Sequence, residues 1–191
     1  LGQTVNSYRG DECDFADLLR KVAAVDGIER LRFTSPYPVD FSDRVIAAMA
    51  EVEQVCPYLH LPVQSGSDAQ LSAMRRGYTV GEFRTLVSKL RAAIPDLALS
   101  TDIITGFCGE SEEDFQQTVD LVEEIRFDSA FMFKYSDREG TYAHKKMPDD
   151  VPESVKGERL QRIIALQEQI SGEINGTYVG RRLPVLVEGP S

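Results

Sequence analysis

Residues 97–110, LALSTDIITGFCGE, gather the groups best suited to hold a small ligand. An apolar run rich in Leu and Ile is interrupted by Ser100, Thr101 and Asp102, then closes on Gly106, Phe107, Cys108, Gly109 and Glu110. Ser111 followed by Asp114 reads as a helix-capping box. The stretch is therefore a buried strand, a glycine turn and a helix N-terminus in succession. Such a junction aims unpaired backbone N–H groups and a partial positive charge at whatever lies above the strand. A plain βα turn with glycines for geometry carries the same signal.

Other candidates are weaker. Asp102, inside an apolar strand, needs a hydrogen bond or a charged partner, and both a structural partner and a ligand satisfy that need. His60 lies between Leu59 and Leu61, so its side chain faces the other way; a hydrogen-bonded structural histidine suits that place better than a catalytic one. Arg75-Arg76 and Lys145-Lys146 can meet phosphate, but solvated surface also accounts for each pair. Cys108 precedes a helix N-terminus, where thiol pKa falls; a small residue in a turn is the simpler reading. His60 and His144 do not pair by spacing with any cysteine, and no hydrolytic constellation stands out. Cys13, Cys56 and Cys108 are odd in number and widely spaced, which fits reduced thiols in a cytoplasmic protein rather than a disulfide framework or metal site.

These residues need elements to position them. Phe15, Leu18, Leu19 and Val22 recur at helical spacing, with Gly27 placed as a C-cap. A short strand is expected over 30–34, then an irregular Ser35-Pro36-Tyr37-Pro38. A second helix runs through Val45, Ile46, Met49 and Val52. The next strand, 58–63, leads through Gln64-Ser65-Gly66-Ser67 into a short helix around Leu71 and Met74. Thr79 with Glu82 opens another helix, carrying Phe83, Leu86, Val87 and Leu90 on one face. After the central strand comes a helix with Phe115, Val119, Val122 and Ile125, then a strand over 129–135. Residues 137–152 read as a polar loop. Leu160, Ile163, Ile164, Gln167, Ile170 and Ile174 mark a long amphipathic helix, and 183–188 reads as a strand outside the βα rhythm.

Strands alternating with helices mean βα units and a parallel sheet, with no hairpin linker to favour an antiparallel one. Gln3, Asn6, Ser35, Gln64, Ser65, Thr105 and Ser136 gather at C-terminal strand ends, which favours a barrel over a doubly wound sheet. The 191 residues suffice for one core. A net charge of −10 argues against generic nucleic-acid binding, so any RNA contact must be local. No apolar run approaches the ~20 residues of a membrane span, and no signal peptide is evident. The opening at Leu1 without Met, and the stop soon after a fresh strand, suggest a segment of a longer protein.

The strings LGQTVNSY, RLRFTSPYP, HLPVQSGSD, MRRGYT, STDIITGFCGE, FKYSDREGTYA and VLVEG, in that order, resemble the radical S-adenosylmethionine methylthiotransferases. The likeness is to those that put a methylthio group on an isopentenylated adenosine beside the anticodon of tRNA. It covers essentially the whole chain. It implies a partial (β/α)6 TIM-like radical-SAM barrel, here without its first βα unit, over 1–152. A connecting helix over 153–177 and the start of a TRAM-type β domain over 178–191 would follow. It also implies S-adenosylmethionine as cofactor and two iron–sulfur clusters in the full-length protein, whose cysteines are not in this chain; tRNA and a reductant protein would be partners.

The same resemblance places the site. Gln64 and Ser65 end the strand that contacts the ribose of S-adenosylmethionine. Asp102, Ile104 and Gly106 belong to the strand against the adenine, with Gly109 and Glu110 finishing the loop. Phe133 and Tyr135 flank the adenine from the other side, and Gln3, Asn6 and Tyr8 lie near the methionine moiety. Arg138, with Arg75 and Arg76, sits where RNA could enter. Cys108 replaces the Pro of GFPGE, Tyr37 the His of SPHP and Glu139 the Pro of RPGT, as subfamily variation. HLPVQS departs from the DIPLQH of the branch that modifies a ribosomal protein. The branch acting on threonylcarbamoyl-adenosine shares QSGSD but usually lacks LGQxVNSY. The implied chemistry is cleavage of S-adenosylmethionine to a deoxyadenosyl radical, hydrogen abstraction from the adenine ring carbon and sulfur delivery from an auxiliary cluster. A cluster-free βα-barrel enzyme would need a general base or a Schiff-base lysine at a strand end, and none of the expected strands ends on Lys; a non-enzymatic RNA-binding module would want a basic face, which the net charge of −10 does not favour.

Overall fold

The computed structural model describes residues 4–34, 36–187 and 189. A two-stranded ribbon, β1 (Arg9–Gly10) and β2 (Cys13–Asp14), precedes helix α1 (Phe15–Ala23). Helix α2 (Asp43–Glu51) leads to β3 (Tyr58–His60), then to α3 (Asp68–Ala73) and α4 (Val80–Ala93). The longest strand, β4 (Ala98–Thr105), is followed by α5 (Glu112–Ile125), β5 (Ser129–Lys134), α6 (Tyr142–Lys146) and α7 (Glu153–Gly176).

Strands β3, β4 and β5 form a parallel sheet in that order. The expected strand over 30–34 is reduced to one parallel bridge, Leu31 to Val55, beside the segment that enters β3. Gln3 and Ser35 lie outside the described residues. The sheet is open among the described residues, and no strand pairs with the outer edge of β5.

Alternation along β4 sends Leu99, Thr101 and Ile103 toward the helices and Ser100, Asp102 and Ile104 to the other face. Leu59, Leu99, Ile103, Phe115, Leu121 and Ile163 are fully buried between sheet and helices. Each such side chain contributes about 1.5–3 kcal/mol. On the opposite face Phe131 and Phe133 remain 58% and 53% exposed. Both expected capping boxes form, Thr79 with Glu82 and Ser111 with Asp114.

Several expectations are corrected, among them that no strand ends on Lys, since β5 ends at Lys134. The antiparallel ribbon β1–β2 does exist, turned at Asp11 and Glu12. Helix α1 stops at Ala24, ahead of Gly27, which takes a left-handed turn conformation instead. The polar loop 137–152 contains α6, capped by Thr141. Residues 183–187 form no strand, since among the described residues nothing pairs with them, and Glu188 lies outside the description. The strand expected over 58–63 stops at His60, because Pro62 has no N–H to donate. Thr101 stands in there: its hydroxyl accepts from Val63 N at 3.0 Å and donates to Leu61 O at 2.9 Å.

Candidate functional site

The turn after β4 is held by α7. Gly106 takes φ +72°, and a Cβ there would stand 2.3 Å from Lys156 Cγ, so only glycine fits. Its N–H donates to Glu110 Oε2 at 2.7 Å. Arg159 Nη1 donates to the same oxygen at 2.8 Å and to Glu110 O at 2.9 Å. Burial pushes the Glu110 carboxyl up, against the pull of the Gly106 N–H and the Arg159 guanidinium. Lys156 Nζ meets Asp149 Oδ1 at 2.5 Å and lies 5.1 Å from the centre of the Tyr135 ring. Gly109 N donates to Asp150 Oδ1 at 2.7 Å. The backbone N–H groups of Gly106 and Gly109 are therefore satisfied within the chain.

The end of β3 is locked as firmly. Gln64 adopts a left-handed φ of 72°. Its backbone bridges β4, with Gln64 N donating to Asp102 O and Ile104 N donating to Gln64 O. Ser65 is wholly buried, its hydroxyl 3.2 Å from Thr118 Oγ1. Ser67 caps α3 and donates to Asp114 Oδ1 at 2.6 Å. Tyr78 donates to Val63 O at 3.0 Å and Pro62 O at 3.2 Å, and burial pushes its phenol up to about 12.

A cavity of about 550 Å³ opens where these strand ends meet. Ile104, Phe107, Phe133 and Tyr135 supply apolar and aromatic walls, and Arg76 lines it with the exposed Arg75, Lys134 and Arg138. No Asp or Glu lines it, on a chain with 31 acidic and 21 basic residues. Phe107 and Tyr135 meet edge-to-face at 4.8 Å. Burial pushes the Tyr135 phenol up, helped by its hydrogen bond with Cys108. Burial likewise pushes the Cys108 thiol up, which leaves a packed small residue rather than a reactive thiolate. Arg76 Nε is buried and has no hydrogen-bond partner among the described residues.

The cavity thus unites Ile104, Phe133, Tyr135, Arg75, Arg76 and Arg138, while Asn6, Gln64, Ser65, Asp102 and Gly106 are not in its lining. Asn6 instead clips the 36–38 turn: its Nδ2 donates to Tyr37 O at 2.8 Å and its Oδ1 accepts from Tyr37 N at 2.7 Å. Tyr8 is exposed. On the open face of the sheet Tyr58 and His60 both bond Ser100 Oγ, at 2.7 and 2.9 Å, and His60 Nε2 lies 3.5 Å from Asp102 Oδ1. His60 also packs edge-on to Phe131 there. Lys156 and Arg159 escaped the sequence reading although they extend the buried stripe of α7 by one turn. Their signal was position on the helix, masked by their charge.

The walls suit a flat apolar ring such as the adenine of S-adenosylmethionine, since Ile104, Phe107, Phe133 and Tyr135 offer apolar and aromatic surface. An iron–sulfur cluster does not fit the described residues: none of them form a group of three His, Cys, Asp or Glu able to hold a metal.

Comparison with known proteins agrees with this architecture. The Radical SAM superfamily profile matches residues 2–122. The chain is 53% identical, over its whole length, to a tRNA-2-methylthio-N(6)-dimethylallyladenosine synthase of Acetivibrio thermocellus, spanning 40% of that protein. It is 54% identical to the one of Acidothermus cellulolyticus and 51% to that of Porphyromonas gingivalis, over 98% and 99% of the chain. The chain spans 38% and 42% of these two relatives. Among solved structures, coproporphyrinogen III oxidase (HemN) of Escherichia coli, a radical SAM enzyme, superposes with a TM-score of 0.52 at 19% identity. The match covers 71% of this chain and 39% of that one. With the parallel sheet, the cavity at its strand ends and the profile match over more than half its length, the chain belongs to the radical SAM superfamily.

Proposed function

We propose that this chain is the central part of a tRNA methylthiotransferase that acts on isopentenylated adenosine beside the anticodon. The observation that carries the reading is the cavity at the ends of β4 and β5, apolar inside and cationic at its rim on an acidic chain. The relatives' names point to the same reaction at 51–54% identity. Residues 1–152 supply the partial barrel, 153–177 the connecting helix and 178–191 the entry to a TRAM-type domain.

In this reading Ile104, Phe133 and Tyr135 enclose the adenine of S-adenosylmethionine. Asp102 and Gly106 shape the strand end, Gln64 and Ser65 the ribose side, and Gln3 and Asn6 the methionine side. When bound, and once cleaved with one electron from a cluster held elsewhere in the full-length protein, S-adenosylmethionine would supply the group that takes hydrogen from the adenine ring carbon of the substrate. The chain's part is orientation and exclusion of water. The full-length protein takes iron–sulfur clusters from residues elsewhere, draws electrons from a reductant protein and works in the cytoplasm. The 191 residues alone are inactive.

The test is complementation. In a host deleted for its own methylthiotransferase, the full-length protein restores methylthio-isopentenyl-adenosine in digested tRNA, read by mass spectrometry, and the 191 residues alone do not. Restoration only of a methylthiolated threonylcarbamoyl-adenosine, or of a ribosomal protein modification, overturns the substrate assignment.

A further inference from the structure

The mouth of the cavity carries a pair that the proposed cofactor contacts do not use. The guanidinium of Arg75 lies over the Tyr142 ring, with Cζ 3.4 Å from the ring centre. The two residues come from different elements. Arg75 follows the C-terminus of α3 in a left-handed conformation, φ 59°, and Tyr142 is the first residue of α6. A non-glycine residue with positive φ is uncommon, and here it turns Arg75 back toward α6. The Thr141 cap, with Oγ1 accepting from His144 N at 3.2 Å, fixes where Tyr142 stands.

The stack is unburied. Tyr142 is 46% exposed and Arg75 is exposed, yet Arg75 forms no ion pair among the described residues. Arg138 shares the rim, likewise unpaired, and no carboxylate lines the cavity. Of the two acids that flank Arg138 in sequence, Asp137 is turned onto His144 Nδ1 at 2.6 Å, a bond that holds its carboxyl below the usual range, and Glu139 is exposed outside the cavity lining and pairs with no cation among the described residues. An aromatic face backed by guanidinium, beside free cations and without competing carboxylates, has the chemistry that takes a nucleobase and its phosphate. A protein partner would meet the same cations, but an open aromatic face beside them is the arrangement on which unpaired bases stack.

Resting on the tRNA reading above, we infer that the Arg75–Tyr142 stack is a platform for an unpaired base of the RNA loop, one flanking the base that enters the cavity. The flanking base adds a third layer to the stack, and Arg138 meets the adjoining phosphate. The platform thus selects single-stranded loop over duplex, whose bases are already stacked on one another.

The test uses the full-length protein and an anticodon stem-loop RNA with 2-aminopurine next to the target adenosine. On binding, wild type quenches the fluorophore. Tyr142→Ala weakens stem-loop affinity about tenfold and abolishes the quench, as expected for one lost base stack, while Tyr142→Phe retains both. Equal stem-loop affinity and quench in wild type and Tyr142→Ala overturn the platform even if tRNA is the substrate. Equal weakening in Tyr142→Ala and Tyr142→Phe also overturns it, as that would mark the hydroxyl rather than the ring. Wild type that binds no stem-loop and methylthiolates no tRNA overturns the parent reading instead.

Discussion

Arg159 Nη1 donates to Glu110 Oε2 across 2.8 Å, with side chains only 7% and 1% exposed. The pair joins α7 to the turn after β4, so the long helix sets the position of Gly106 through Glu110. Burial alone would disfavour the charge on Glu110. The guanidinium and the Gly106 N–H offset part of that cost, and burial still wins.

Removing one partner should therefore be expensive. Arg159→Met leaves Glu110 buried with one backbone donor, and breaking such a pair destabilises by about 3–5 kcal/mol. The gap from wild type should shrink as pH falls. Without Arg159 the folded-state pKa of Glu110 rises further above its unfolded value, so protonation favours the folded variant. Urea denaturation at neutral pH and near pH 5 checks both statements; a pH-independent gap refutes the electrostatic account.

Gly66 makes a sharper steric prediction. A Cβ there would stand 2.3 Å from Gln117 O and 2.6 Å from Thr118 Cα. Both atoms are α5 backbone, so neither can swing aside. Gly66→Ala should destabilise by at least the ordinary overpacking cost of about 1–3 kcal/mol. Gly172→Ala, in α7 with nothing within 4 Å, should instead stabilise by about 0.5–1 kcal/mol. Denaturation midpoints that move in the same direction for the two variants contradict the packing argument.

How far the sequence foretold this arrangement can be argued residue by residue. Local signals held: Thr79 with Glu82 and Ser111 with Asp114 cap their helices through contacts within a few residues, which spacing encodes directly. Ile104, Phe133 and Tyr135, which the family resemblance implied as neighbours, do line one cavity. What stayed hidden depends on distant pairing. Lys156 reads as a solvent-facing lysine until Asp149 and the bare Cα of Gly106 are seen beside it. Thr101 reads as one more strand residue until Pro62 leaves a gap in the ladder beside it. Residues 183–187 have strand-like composition, but β structure needs a partner, and none is present among the described residues.

Tyr78 gives the fold an alkaline limit. Its phenol is pushed by burial from 10.0 to about 12. Below pH 10 both states keep the proton, so the full stability is present. Between pH 10 and about 12 the unfolded chain loses the proton and the folded chain keeps it, so stability falls, by about 3 kcal/mol in all. Tyr78→Phe should lose about 1 kcal/mol at neutral pH with the bonds to Pro62 and Val63, and should lack this share of the alkaline decline. Stability of the two proteins measured from pH 8 to 12 decides the point; parallel curves exclude Tyr78 as the cause.

The open face of the sheet makes the last prediction. Phe131 and Phe133 stand 58% and 53% exposed on β5, whose outer edge pairs with no strand among the described residues. An edge of free N–H and C=O groups beside apolar rings is a template for pairing between chains. The acidic surface opposes association at long range, but salt screens that repulsion beyond ~10 Å at 0.1 M. The isolated 191 residues should therefore associate in a concentration-dependent way in light scattering, more strongly as salt is raised. Phe131→Lys puts a charge on the edge strand and removes one exposed ring, so it should shift association to higher concentration. His60 loses its edge-on contact with Phe131 in that variant but keeps Ser100 Oγ at 2.9 Å, so the fold should survive. A monomer at all concentrations and salts would mean that the face is covered in solution, and the edge argument would fail.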